Sequence, residues 1–187
     1  TSSVTSGLLT APRRVFFLPQ KPYNVIGSLR TQLTYPNLLT GGVEGGEEEV
    51  RDEVLLSLLE RVQLGGLAQR IGGGDVSEGL RAEKDWSRVL SIGEQQRLAF
   101  ARVLFNRPDV VVLDEATSAM DLRSEEAMYR LLQQINVTYV SVGHRPSLLR
   151  YHKSRLVLGG AGEGVAPRLM PIDIRDSDLT QELLDLT

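Results

Sequence analysis

Two kinds of apolar spacing alternate along the chain. Short continuous runs, Val15-Phe16-Phe17-Leu18, Val110-Val111-Val112-Leu113 and Leu156-Val157-Leu158, have strand length, as does Thr138-Tyr139-Val140-Ser141-Val142. Their β-branched and aromatic content favours strands over buried helix turns. Core strands are therefore expected at about 14–18, 110–114, 138–142 and 155–158, and the run at Val110 reads as a strand buried on both faces, as in a parallel sheet. Between them the period changes to that of a helix at Val50, Val54, Leu55, Leu58, Leu59 and Val62, and Leu98, Ala99, Ala101, Arg102, Val103 and Leu104 follow the run that starts at Ser91. Ser28 predicts the cap of a short helix through about Leu33, stopped by Pro36. Glu47-Glu48-Glu49 opens the next helix, with three acids suiting its dipole better than a metal cluster. Ser91 followed by Glu94 is a capping box and marks another helix start. Strands alternating with helices make an α/β domain.

Glycine and proline punctuate this pattern. Pro19 and Pro22 hold Gln20 in an extended loop. Gly41-Gly42-Val43-Glu44-Gly45-Gly46 reads as an exposed linker, Gly159-Gly160-Ala161-Gly162 as a turn, and 178–186 as a short terminal helix. Gly72-Gly73-Gly74 invites a phosphate-loop reading, but neither a preceding strand nor a following Lys-Ser/Thr supports it, so it is taken as a loop. Trp86 is expected to pack rather than to stack on a nucleotide.

Composition narrows the classes. The chain has 187 residues, enough for one domain or one and a part, with 41% hydrophobic and 24% charged residues. A net charge of −3 without a Lys/Arg run argues against nucleic acid as a partner. The absence of cysteine removes disulfides and thiolate chemistry. No apolar run approaches the length of a membrane span, and Thr1-Ser2-Ser3-Val4-Thr5-Ser6-Gly7 lacks the features of a signal peptide. With no initiator Met, the chain is expected to be cut from something longer.

The candidate chemistry sits where the Val110 strand ends in Asp114-Glu115. The carboxyl end of a parallel strand borders the crevice where open α/β sheets bind ligands. There Asp114 can hold a Mg²⁺ bridging nucleotide phosphates, and Glu115 can orient or deprotonate a water aimed at the γ-phosphate. A plain polar turn after a buried strand accounts for the same two residues. The Ser91 helix start, with Gly93 beside it, is also an anion site by virtue of its free N–H groups and dipole.

Five motifs in order carry a resemblance. Gln20, the run Ser91-Ile92-Gly93-Glu94-Gln95-Gln96-Arg97, Leu113-Asp114-Glu115, Ser118-Ala119-Met120-Asp121 and Val142-Gly143-His144-Arg145 resemble the Q-loop, signature, Walker B, D-loop and H-switch of ABC transporter nucleotide-binding domains. Leu90-Ser91-Ile92-Gly93-Glu94-Gln95-Gln96-Arg97 and Ser141-Val142-Gly143-His144-Arg145-Pro146 are similar to subfamily D and its cyanobacterial and plastid relatives. The resemblance implies an ABC-type P-loop NTPase cassette, with a mainly parallel sheet core and a helical subdomain at about 28–106, followed by a tail at 159–187. It implies ATP and Mg²⁺ as cofactors. Gln20 would contact the metal or water and sense the transmembrane partner. Asp114 would serve the metal, Glu115 the attacking water and His144 the γ-phosphate. Ser91, Gly93 and Glu94 would meet a nucleotide held mainly by a second cassette, and Ser118, Ala119 and Asp121 would line the dimer interface. His152 has no such part and is expected at the surface.

Two departures stand out. Ile92 occupies a position where the signature usually has Gly, so its backbone must avoid positive φ. No Gly-x-x-Gly-x-Gly-Lys-Ser/Thr occurs in the chain; the family places this Walker A loop upstream of Gln20, so the chain is expected to begin after it. The function implied is ATP hydrolysis powering transport across an organelle, plastid or bacterial membrane, from its cytosolic or stromal side. The partners implied are a transmembrane domain, expected in the same full-length chain, and a second nucleotide-binding domain. The rivals are a soluble ABC ATPase acting on ribosomes or DNA, and a degenerate cassette that only dimerises. A carboxylate introduced at Gly93 is expected to affect folding little unless φ is positive there, and to repel the partner's phosphate.

Overall fold

The computed structural model describes residues 12, 14–36, 50–158 and 166–172. The linker at 41–46, the acidic helix start at 47–49, the turn at 159–162 and the helix at 178–186 lie outside them. The chain divides into two compact units, one ending at Val142 and one starting at Gly143.

In the first unit, strands β1 (Val15–Leu18), β2 (Val110–Asp114) and β3 (Thr138–Val142) form a parallel sheet in the order β1-β2-β3. Leu18 pairs with Leu113, and Leu113 with Ser141. Parallel neighbours need long crossovers. Helices α1 (Leu29–Thr34), α2 (Asp52–Arg61), α3 (Leu67–Ile71), α4 (Val76–Arg81), α5 (Trp86–Val89) and α6 (Ile92–Asn106) lie between β1 and β2, and α7 (Leu122–Gln134) between β2 and β3. Phe16, Leu18, Val111 and Leu113 are buried, which defines the core face of the sheet. The burial expected on both faces of β2 is met on that face only. Val110 and Val112 are half-buried, and Val15, Phe17, Val140 and Val142, which share their face, are about half exposed.

The organising helix is α6. Leu98, Ala99, Phe100, Ala101, Val103 and Leu104 are all buried, so the middle of the helix is covered on every side, as a helix inside a core is. It packs against α1, α2, α5 and α7. Ser28 caps α1 through Thr31 N–H, as its sequence predicts. Gly73 and Gly74 take left-handed backbone and form a loop between α3 and α4, not a phosphate cradle between strand and helix. Trp86 is buried and donates its indole N–H to Gly27 O at 2.9 Å, the packing role expected of it.

The second unit contains a 3-10 turn at Pro146–Tyr151 and an antiparallel pair, β4 (Ser154–Val157) with β5 (Arg168–Pro171). The strand expected at 155–158 is present, but not as a core strand: its described partner is antiparallel and both strands are exposed. β5 has only Leu169 and Met170 as apolar residues before its proline, too short a run to announce a strand. His152 is half-buried rather than superficial, its Nδ1 within 2.8 Å of Leu148 O. Among the described residues no helix is long and apolar enough to cross a membrane.

Candidate functional site

The carboxyl end of β2 gathers residues from three stretches of chain. Asp114 closes the strand half-buried, and no described residue hydrogen-bonds its carboxylate. Glu115 then turns into left-handed backbone at φ 47, and its N–H is held by Val142 O at the matching end of β3, 2.9 Å away. A non-glycine residue held at positive φ stores strain, which is common where a side chain must be aimed. β1 runs parallel to β2, so Pro19 and Gln20 leave the sheet at this same end. Gln20 Nε2 donates to Glu115 Oε2 at 2.5 Å, joining two of the expected catalytic residues across 95 positions of sequence.

The turn after Glu115 is closed by Ser118 N–H to Glu115 O at 3.0 Å and Met120 N–H to Thr117 O at 3.0 Å. It leads to Asp121, whose carboxylate caps α7 by accepting Ser124 N–H at 2.8 Å. Those Ser124 bonds, backbone first, hold the Asp121 carboxyl below its ordinary range. Ser118, Ala119 and Asp121 therefore stand on one exposed turn.

The N-terminus of α6 carries the other group. Ser91 Oγ accepts Glu94 N–H at 3.3 Å while Glu94 Oε2 accepts Ser91 N–H at 2.9 Å, the complete capping box. Glu94 also takes Arg70 Nη2 at 2.7 Å. Burial pushes the Glu94 carboxyl up, but its bonds from Ser91 and Arg70 outweigh that and leave it below the usual range. Ile92 sits in the first turn with no positive φ, so its bulk is accommodated. Ser91→Ala should cost about 1 kcal/mol of stability, the worth of a lost N-cap, read as a shift in denaturation midpoint.

Gly93 faces the turn after Glu115. A Cβ built on it would lie 2.9 Å from Ala119 O, closer than side chains are tolerated. Any side chain at Gly93 must push that turn, which corrects the expectation that folding ignores a substitution here. His144 lies exposed in the second unit, just ahead of the Pro146–Tyr151 turn.

Reasoning from sequence misses the polar residues that α6 turns inward. Gln95, Gln96 and Arg102 are 7%, 1% and 1% exposed. Arg102 donates to Gln32 O at 2.6 Å, Tyr23 O at 2.8 Å and Gln32 Oε1 at 2.9 Å, and Gln95 accepts Asn24 Nδ2 at 2.9 Å. These bonds fasten α1 and the loop that follows Gln20 to α6. The available signal is an amide pair at the helix start and a guanidinium within the otherwise apolar stretch from Leu98 to Leu104.

Among the described residues no group of three or more His, Cys, Asp or Glu could cage a metal. Two adjacent carboxylates at a strand end, one of them without a hydrogen bond from any described residue, instead fit a Mg²⁺, which keeps water and takes most other ligands from phosphate.

The model of the ABC transporter family matches residues 12–118. An uncharacterized ABC transporter ATP-binding protein of Synechocystis is 43% identical over 148 residues, covering 79% of this chain and 20% of that protein. The chloroplastic ABC transporter D family member 2 of Arabidopsis thaliana is 42% identical over 165 residues, covering 79% and 22%. The chain thus spans about a fifth of the length of these relatives. The structure of a bacterial Atm1-family ABC exporter with ATP bound has the same fold, with a TM-score of 0.65 at 23% identity over 93% of this chain and 28% of that one.

Proposed function

The chain belongs to the ABC transporter family, as part of a nucleotide-binding domain similar to those of subfamily D, and from that premise we propose that it hydrolyses Mg-ATP as half of a dimer that powers transport across a membrane. The observation that carries this reading is the 2.5 Å contact of Gln20 with Glu115 beside the open carboxylate of Asp114. In this reading Glu115 takes a proton from the water attacking the γ-phosphorus, and the bond from that phosphorus to the bridging oxygen breaks to leave ADP and phosphate. Gln20 aims the Glu115 carboxylate. Asp114 and Gln20 are the residues that would hold a Mg²⁺, which would supply neutralisation of the phosphate charge. Ser91, Gly93 and Glu94 face the nucleotide of the second cassette across the dimer, Ser118, Ala119 and Asp121 line that interface, and His144 donates to the γ-phosphate. The transmembrane helices belong to the full-length chain, and this domain works on the cytosolic or stromal side.

Calorimetric titration with Mg-ATP tests the division of labour. The 187 residues contain no Gly-x-x-Gly-x-Gly-Lys-Ser/Thr, so alone they should bind weakly and hydrolyse negligibly, whereas the full-length protein should bind saturably and release phosphate. Micromolar affinity in the 187 residues alone would refute the need for an upstream phosphate cradle.

A further inference from the structure

We infer that Gln96 is a positioning residue for ATP hydrolysis, its one buried amide holding Gln20 and the Ser118–Ala119 turn in register on either side of Glu115. The inference rests on the proposed ATPase activity and assigns a role to a residue that touches none of the reacting atoms.

Gln96 lies within the first two turns of α6 and is 1% exposed. Its Nε2 donates to Gln20 O at 3.2 Å and to Ser118 Oγ at 3.2 Å, and its Oε1 accepts Ala119 N–H at 3.0 Å. Both N–H donors and the carbonyl of the amide are therefore in use. These bonds complete a ring around the candidate base. Gln20 Nε2 reaches Glu115 Oε2, Glu115 O accepts Ser118 N–H, Ser118 Oγ accepts Gln96 Nε2, and the same nitrogen returns to Gln20 O. Three stretches of chain meet at one side chain.

Gln96 also works with Gly93, three residues earlier on the same face of α6. Gly93 fits beneath Ala119 O, while Gln96 Oε1 holds Ala119 N–H. Both sides of that turn are thus read by the helix whose N-terminus carries Ser91. A displacement of α6 moves the Gln20 backbone and the Ala119 turn together, so the aim of Glu115 follows the position of the helix. Leaving one of these buried groups without its partner costs its full desolvation, which keeps the ring closed.

Gln96→Glu keeps shape and the acceptor for Ala119 N–H but removes both donors and sets an oxygen against Gln20 O. Gln96→Met keeps length and removes all three bonds. Steady-state hydrolysis of Mg-ATP by the full-length protein, with melting temperature on the same preparations, tests the role. In Gln96→Glu, kcat should fall about tenfold or more while KM for ATP stays within about twofold, because misaim of a catalytic group acts on the barrier and not on substrate binding. In a Gln20→Ala background the same change should cost less than it does in the parent, because the side-chain amide that passes the hold on the Gln20 backbone on to Glu115 is gone. A merely structural role gives losses that multiply across the two backgrounds, and that result overturns the inference, as does an unchanged kcat. If Gln96→Glu does not fold, Gln96→Met is held to the same criteria. A parent without ATPase activity overturns the functional reading and this inference together; an active parent silenced by Glu115→Gln but indifferent to Gln96 overturns this inference alone.

Discussion

In the full-length protein, Glu115→Gln is expected to cut ATP turnover by roughly 10²-fold or more, in line with loss of a positioned general base. The substitution is nearly isosteric. Its amide oxygen can still accept Gln20 Nε2, and its backbone N–H can still reach Val142 O, so the left-handed turn at φ 47 has the same supports. What disappears is a group able to take a proton from water. ATP binding should therefore survive and the nucleotide-closed dimer should accumulate, visible as a larger species by size-exclusion chromatography with ATP. Turnover near that of the parent would remove Glu115 from the role of base.

The second large effect concerns Gly93, and the structure changes how it has to be measured. A carboxylate near a helix N-terminus favours the dipole, but against an incoming phosphate it is repulsive. Gly93→Asp in the full-length protein should abolish ATP-dependent dimerisation, with hydrolysis falling alongside. Because any Cβ here meets Ala119 O at 2.9 Å, part of the loss comes from pushing the turn that carries Ala119. Gly93→Ala isolates that part: it has the Cβ without the charge. The aspartate variant should lose more dimer than the alanine variant at equal melting temperature, and raising the salt concentration should narrow the gap. If Gly93→Asp dimerises with ATP like the parent, the Ser91 run is only a helix cap in this protein.

Much of the architecture was legible because local and global signals agree. The β-branched run at Val110 and the β-rich run at Thr138 became adjacent parallel strands, and Ser91 with Glu94 made the capping box that their spacing implies. The misses have physical causes. Burial on both faces of β2 could not be read from its own residues, since cover is a property of what packs against a strand. β5 is too short and too polar to register as a periodic signal. The candidate site was legible as a set of residues but not as an arrangement: nothing local tells that Gln20 meets Glu115, or that Glu115 takes left-handed backbone. Gln96 escaped because a glutamine inside a helical motif reads as a helix former, and its three bonds appear only once strands and helix are assembled. The constraint at Gly93 escaped for the same reason, as its neighbour Ala119 comes from another element.

The central claim is that the carboxyl end of β2 serves ATP hydrolysis. Phosphate release by the full-length protein, followed over a range of ATP concentrations with Mg²⁺ present and with it chelated, tests that claim most directly. The account predicts saturable release that requires Mg²⁺ and is lost in Glu115→Gln. Release no greater than from ATP alone, or equal release from the parent and Glu115→Gln, would contradict it.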